Sequence, residues 1–291
     1  MERADGEPSG MRILLTNDDG VAAPGIWAAA QALVNLGHVT IVAPAVNHSG
    51  YGAALPPARR VSYFPYRHPD SHPENVVAYG VVATPATCVH VGLGGALGGP
   101  FDLVVSGINH GANLGRDVFY SGTLGAALTA HLLSVPAIAI SLAVGPGEMA
   151  HWATAAWALG EAVRLWQATP SGALSAGPDP TPSILNINVP NRPLSHLADI
   201  LVTVPARTSC LTRYRFHVDP QAGDIVISPN QDDPPAPEPG TDAWAIEMGY
   251  VAITPLRAFP DILDVVPGEF SPAYLRLPLP SPVGAEHVFA K

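Results

Sequence analysis

The ten residues Met11–Gly20, MRILLTNDDG, constrain this chain more than any other stretch. Ile13–Leu15 is a short continuous apolar run, as a fully buried strand carries. It leads directly into the turn residues Asn17, Asp18, Asp19 and Gly20, and then into APGIW, a helix start. Strand, turn and helix in that order put both carboxylates at the carboxyl end of a strand. In open parallel α/β sheets that edge binds ligands. Adjacent carboxylates repel each other, and a cation beside them relieves the repulsion. Asp18 and Asp19 are therefore the first candidates for a metal site, with turn and cap chemistry as the competing reading of the same residues.

The alternation of strand and helix continues. A helix is predicted over Pro24–Leu36, with proline in its first turn, Ile26, Ala30, Leu33 and Val34 on one face, and Gly37 as a stop. His38–Ala43 reads as a strand, followed by the loop Pro44–Pro57. Arg59–Tyr66 and Val76–Ala83 read as further strands, and Thr84 and Pro85 open a helix. Phe101–Val105 is a buried strand, Ser121–Leu133 a helix, Ala137–Leu142 a strand and Ala150–Ala168 an apolar helix. The linker Pro170–Pro182 leads to the strand Ile184–Val189. This order implies an α/β fold with a doubly wound, mostly parallel sheet.

Past about residue 200 the helical pattern stops. Val202–Ile227 and Trp244–Thr254 read as hairpin material around the acidic, proline-rich loop Gln231–Gly240, and Phe259–Val266 as a last short helix. The expected organisation is a disordered tail (1–10), a Rossmann-like α/β core (11–200), an extension (201–266) and a proline-rich tail (267–291). An apolar hairpin carrying Trp244, Ile246, Tyr250 and Val251 cannot bury itself alone, which points to oligomerisation.

Composition removes several function classes. The net charge is −10 and Lys291 is the sole lysine. So acidic a chain does not suit a nucleic acid polymer, which needs clustered bases. Without an internal lysine, Walker-type phosphate binding is excluded, and so is a phosphorelay receiver, despite its similar strand and acid pair. No GxSxG is present. Cys88 and Cys210 belong to no CxxC pattern and read as free thiols in a reducing cytosol. There is no signal-peptide pattern, and the apolar stretch near Val135–Val144 is too short to span a membrane. The expectation is a cytoplasmic protein with no membrane partner.

Two more loops join the acid pair. Ser49 lies in NHSG after the second strand, and Asn109 in SGIN after the buried strand. Three loops following three strands emerge at one sheet edge. Two carboxylates, a hydroxyl and an amide oxygen form a hard oxygen set that suits Mg²⁺, Mn²⁺ or Ca²⁺ better than zinc. Gly107, Gly111 and Gly115 space a loop whose backbone N–H groups can face an anion. Tyr120-Ser121-Gly122-Thr123 opens a helix, and a helix N-terminus favours phosphate. A cation and an anion cradle at one edge are what phosphate-ester hydrolysis requires.

In order, TNDDG-VAAPGI, NHSG, ATPATCV, SGINHGANLG, YSGTLGAA, ILNINVP and GTDAWAIEMGYVAITPL closely resemble the motifs of the SurE survival-protein family of metal-dependent nucleotidases and phosphatases. The resemblance spans about Met11 to Leu263. It implies a Rossmann-like core, a hairpin and C-terminal segment exchanged in a homodimer or tetramer, and divalent-metal hydrolysis of nucleoside 5′- or 3′-monophosphates. By motif position, Asp18, Asp19, Ser49 and Asn109 would hold the metal, with Asp18 or Asp19 also catalytic. Asn17, Gly50, Gly107, Asn113, Ser121, Gly122 and Thr123 would lie on the substrate and phosphate side. The chain departs from the family pattern at Ala45, where an acid is usual, and at Tyr51–Leu55, where polar residues are usual. These departures fit a different phosphate ester, in a specialised pathway, or a nucleotide-binding protein without turnover.

Overall fold

The structure is a computed structural model that describes residues 10–57, 60–69, 73–168, 184–207, 214–229 and 236–256. Residues 1–9 of the expected N-terminal tail, the linker Pro170–Pro182, Cys210, the Phe259–Val266 helix and the proline-rich tail all lie outside these residues.

A nine-stranded sheet forms the core, in the order β3-β4-β2-β1-β5-β6-β7-β11-β8. Its strands are β1 (Met11–Thr16), β2 (Gly37–Pro44), β3 (Tyr63–Pro65), β4 (Val76–Val81), β5 (Leu103–His110), β6 (Ala137–Ala143), β7 (Ile184–Pro190), β8 (Ile200–Val202) and β11 (Val251–Leu256). The run from β4 to β7 is parallel, while β3 pairs antiparallel with β4, and β11 antiparallel with β7. The helices are α1 (Pro24–Leu33), α2 (Pro85–Leu93), α3 (Gly122–Leu132), α4 (Trp152–Ala168) and α5 (Asp242–Met248). Helices α1 and α4 pack together, as do α2 and α3. Accordingly there are two apolar layers. One holds Ile13, Leu15, Ile26, Ile138 and Leu159, the other Leu14, Val42, Val89, Val104 and Leu124. Successive strand residues point to opposite faces, so Leu14 and Leu15 divide between the layers. This is the doubly wound α/β fold expected.

The sheet reverses direction at its centre. From β1 the chain moves to β2 on one side, and later returns to β5 on the other. Ligands bind at such a switch point, outside the carboxyl ends of the two strands. The Asp18–Asp19 turn follows β1 and Asn109 sits near the end of β5, so both meet there.

Two expectations are corrected. Trp244–Thr254 is not hairpin material. Thr241 caps α5 by accepting from the Trp244 N–H, Gly249 ends it at φ +90, and Val251–Thr254 is a fully buried strand of the main sheet. A threonine cap and a left-handed glycine are helix punctuation, which the apolar residues Trp244, Ile246, Tyr250 and Val251 obscured. Strand β8 also belongs to the main sheet. The hairpin itself is β9 (Tyr214–Asp219) with β10 (Asp224–Pro229), a separate two-stranded sheet.

Candidate active site

Asn17 shapes the first loop. Its Oδ1 accepts from the Gly20 N–H at 3.2 Å, and its Nδ2 donates to the Gly20 carbonyl at 3.0 Å. This buried amide clasps the turn that presents Asp18 and Asp19. Although expected on the substrate side, its hydrogen-bonding atoms are committed to the turn.

Asp18 is almost fully buried. Its Oδ1 accepts the Thr123 hydroxyl at 2.7 Å, and the backbone N–H groups of Gly122 and Thr123 also bond to it. The N-terminus of α3 therefore sits against this carboxylate. The expectation that Thr123 would offer its hydroxyl to phosphate is corrected, because that hydroxyl fixes Asp18. Ser121 caps α3 by accepting from the Leu124 N–H at 3.1 Å.

The other two loops dock on the same turn. The His48 N–H donates to the Asp18 carbonyl at 2.7 Å. Asn47 donates its amide to Asp19 Oδ1 at 3.1 Å and accepts the Ser49 N–H at 2.8 Å. The His110 N–H donates to Asp19 Oδ2 at 3.0 Å. The loops bearing Asp18, Asp19, Ser49 and Asn109 are thus brought together, with Ser49 and Gly50 exposed at the rim. Burial pushes both carboxyls above the ordinary aspartate value. At Asp19 the neighbouring charge of Asp18 adds to the rise, against the lowering effect of the His110 N–H and Asn47.

A bulge in β5 aims Asn109. Ser106 pairs with Ala139 but Asn109 with Ser141, so β5 carries one extra residue. Gly107 sits in that bulge at φ +136, against the Ile140 carbonyl of β6, where a Cβ has no room. Asn109 donates its Nδ2 to the Gly111 carbonyl at 2.8 Å, which fixes its amide plane. Its oxygen bonds to no described residue.

The glycine-loop cradle is also corrected. Gly107 lies inside a strand, the Gly111 N–H donates to the Leu142 carbonyl, and the Gly115 N–H donates to Asp242 Oδ2 at 2.9 Å. Asn113 is buried, with its Nδ2 on the Ser141 hydroxyl and its carbonyl accepting from Asn186 and Asn188. This loop is anchored from beneath and is not open to an anion through these groups.

Sequence reasoning did not single out Asn47, Ser141, Asn186, Asn188 or Asp242. The polar residues inside the apolar strands ILNINV and AIAISLA were the available signal, since buried amides need partners. Asp242 is fully buried, accepting from Gly115 and Ala206 N–H groups and from Ala243 of its own helix. Burial raises its pKa and these N–H bonds lower it, leaving it above the ordinary value. Asp242→Ala leaves these donors without an acceptor, and the expected loss is about 2–4 kcal/mol in urea unfolding. A loss under about 1 kcal/mol would show that the carboxylate does not hold these segments together.

The donor set fits a hard divalent cation: two carboxylates whose burial disfavours their charge, an amide oxygen and a hydroxyl without protein partners among the described residues. No cluster of three or more His, Cys, Asp or Glu suited to a metal occurs among those residues, as expected of a set completed by serine and asparagine. An acid pair at the switch point of a doubly wound sheet, backed by a helix N-terminus, defines a Rossmann-like α/β protein with its candidate site at the carboxyl edge of the sheet. Within that class the chain belongs to the SurE survival-protein family, whose model matches residues 13–211. It is 38% identical over 249 residues to the 5′-nucleotidase SurE of Dehalococcoides mccartyi strain CBDB1, covering 85% of this chain and 89% of that protein. It is 42% identical over 256 residues to the 5′-nucleotidase SurE of Vibrio cholerae serotype O1 El Tor Inaba, covering 85% and 91%. The crystal structure of the SurE protein from Aquifex aeolicus matches with a TM-score of 0.69 at 32% identity, over 88% of this chain and 96% of that one. The resemblance carried by the seven motifs is therefore correct.

Proposed function

We propose that this chain is a divalent-metal-dependent phosphohydrolase that removes phosphate from nucleoside 5′- or 3′-monophosphates or a related small phosphate monoester. Relatives named 5′-nucleotidase share most of its length. The observation that carries the reading is the docking of the Asn47–Ser49 and Asn109–His110 loops onto the Asp18–Asp19 turn. Asp18, Asp19, Ser49 and Asn109 would hold Mg²⁺ or Mn²⁺, and Ca²⁺ suits the same oxygens. When bound, such a cation supplies Lewis acidity and positive charge at the phosphate. The remaining work falls to the chain. Thr123 and the α3 N–H groups hold Asp18 in one orientation, so no reorganisation is needed during reaction. Asp19 is only half-buried and is the carboxylate able to reach a reacting water or phosphorus. The first turn of α3, capped by Ser121, keeps the positive end of its helix dipole against the Asp18 carboxylate.

In this reading the protein is a cytoplasmic homodimer or tetramer. Phe216, Val218, Ile225 and Ile227 of the hairpin are each 59–67% exposed, and a lone two-stranded hairpin needs a partner surface. Among the described residues no helix is long and apolar enough to cross a membrane. Cys88 is buried and free, its thiol pushed up to about 12 by burial, so it is inert.

Phosphate release from a panel of nucleotides, sugar phosphates and aryl phosphates, with Mg²⁺ or Mn²⁺ and with EDTA, tests the proposal. Metal-dependent release is expected, together with a melting temperature that rises with Mn²⁺. At a hundredfold excess over the dissociation constant, a cation bound only by the folded state adds about 2.7 kcal/mol. Folded protein that releases phosphate from no member would sink the reading. Nucleotide binding by calorimetry without release would replace it with a binding protein.

A further inference from the structure

Large apolar side chains exposed singly are ordinary on a protein surface, whereas a group of them marks a contact site. Three exposed aromatics stand on two touching segments at the carboxyl edge of the sheet: Tyr51 at 58%, Phe119 at 81% and Tyr120 at 50% exposure. The Gly52 N–H donates to the Tyr120 carbonyl at 3.1 Å, and a Cβ built on Gly52 would meet the Phe119 carbonyl oxygen at 3.2 Å. Phe119 and Tyr120 lead into Ser121 and Gly122, where the start of α3 packs on Asp18.

Of the three, Tyr51 is held by its neighbours on every side. Left-handed glycines flank it, Gly50 at φ +82 and Gly52 at φ +54, a conformation open mainly to glycine. The Tyr51 N–H donates to the His48 carbonyl at 3.2 Å, and its carbonyl accepts from the Ala54 N–H at 3.2 Å. Its ring meets the His48 ring edge to face, with centroids 5.0 Å apart and planes at 73°. His48 is itself fixed, since its backbone N–H donates to the Asp18 carbonyl at 2.7 Å and its Nδ1 to the Val46 carbonyl at 2.9 Å. One residue, His48, therefore touches both the acid turn and the Tyr51 ring, and Ser49 of the proposed metal set follows it directly in the chain. His48 can cover only one face of that ring, and the exposure of Tyr51 leaves ring surface open to solvent.

We propose that Tyr51, braced by His48, is the stacking platform for the base of a nucleoside monophosphate whose phosphate lies at the Asp18–Asp19 turn. The proposal rests on the phosphohydrolase reading for the position of the phosphate, and it names the residue that recognises the nucleoside part. Every nucleobase has a π-face, so an aromatic platform accepts a base without reading its hydrogen-bonding edge. The two glycines and the His48 contact orient the ring before the base arrives, so little conformational freedom is lost on stacking. Tyr51 thereby separates nucleotides from sugar phosphates, which carry the same phosphate but no aromatic ring.

The test compares kcat/KM for adenosine 5′-monophosphate and ribose 5-phosphate, using the full chain with Mn²⁺. The two esters differ by the base alone. The wild type is expected to prefer the nucleotide by at least about tenfold, and Tyr51→Ala to lower that ratio about tenfold, through the KM of the nucleotide. Tyr51→Phe keeps the π-face and should hold the ratio within about twofold. Because Tyr51 is exposed, its truncation leaves no cavity, and the melting temperature should hold. Adenosine binding, followed by calorimetry in EDTA, should weaken about tenfold in Tyr51→Ala and needs neither metal nor turnover. An unchanged ratio in Tyr51→Ala overturns the platform, and so does a parallel loss with both esters, which would make Tyr51 only a support for the Ser49 loop. No metal-dependent release from any ester overturns the phosphohydrolase reading. Adenosine binding that weakens in Tyr51→Ala would still put the base on Tyr51, and binding that does not weaken, or is absent from the wild type, overturns the platform as well.

Discussion

Asp19→Asn is expected to lower metal-dependent phosphate release on the order of a thousandfold while leaving the protein folded. Asparagine keeps one of the two acceptors that Asp19 offers to Asn47 and the His110 N–H, so the loops stay near their places. What is lost is the half-exposed charge. Burial raises the pKa of both carboxyls, so folding favours their protonated forms. Their contribution to stability is present in acid and is lost as pH rises through the raised values. Without a cation, ionisation of these buried carboxyls opposes folding. Removing one charge relieves that opposition. In EDTA at pH 7 the variant should therefore melt at or above the wild-type temperature, and Mn²⁺ should raise its melting point less. Near-normal turnover in this variant would remove Asp19 from the chemistry.

The carboxyl edge of the sheet was legible in the sequence because its signals are local. A buried strand ending in Asn17–Gly20, a buried strand ending near Asn109, and Ser121 capping the next helix each follow from neighbours in the chain. Topology then brings them together without further information. The roles of Thr123, Asn113, Gly111 and Gly115 were not legible, since each depends on a distant partner. Thr123 meets Asp18 across 105 positions, and Gly115 meets Asp242 across 127. Residue type shows that a hydroxyl or an N–H is present, but not whether the fold has already engaged it. At Trp244–Thr254 the error was different in kind. Its helix and strand signals were present, but the apolar residues Trp244, Ile246, Tyr250 and Val251 were read as one hairpin across the two punctuating residues. The strand it hid, β11, closes the sheet against β7 and positions α5, so Asp242 reaches the active-site loop.

Gly122→Ala should reduce turnover about a hundredfold, although alanine is the better helix former. At most interior helix positions Gly→Ala stabilises by roughly 0.5–1 kcal/mol. At Gly122 the new Cβ would lie 2.7 Å from Asp18 Cβ and 2.8 Å from its Oδ2. Asp18 cannot swing aside, because it is buried and held by Thr123 and the first N–H groups of α3. Either the aspartate or the helix start must shift, and a displacement near 1 Å at a reacting centre costs on the order of a hundredfold. Gly160→Ala on α4 is the control. Its nearest neighbour is the flexible end of Arg164 at 3.5 Å, so it should raise the melting temperature slightly and leave turnover unchanged. The comparison separates position from propensity. If Gly122→Ala matches Gly160→Ala in both stability and kcat, the close approach of α3 to Asp18 is not what holds that carboxylate in its working geometry. If kcat falls and the melting temperature holds, the helix start acts on the reaction through Asp18.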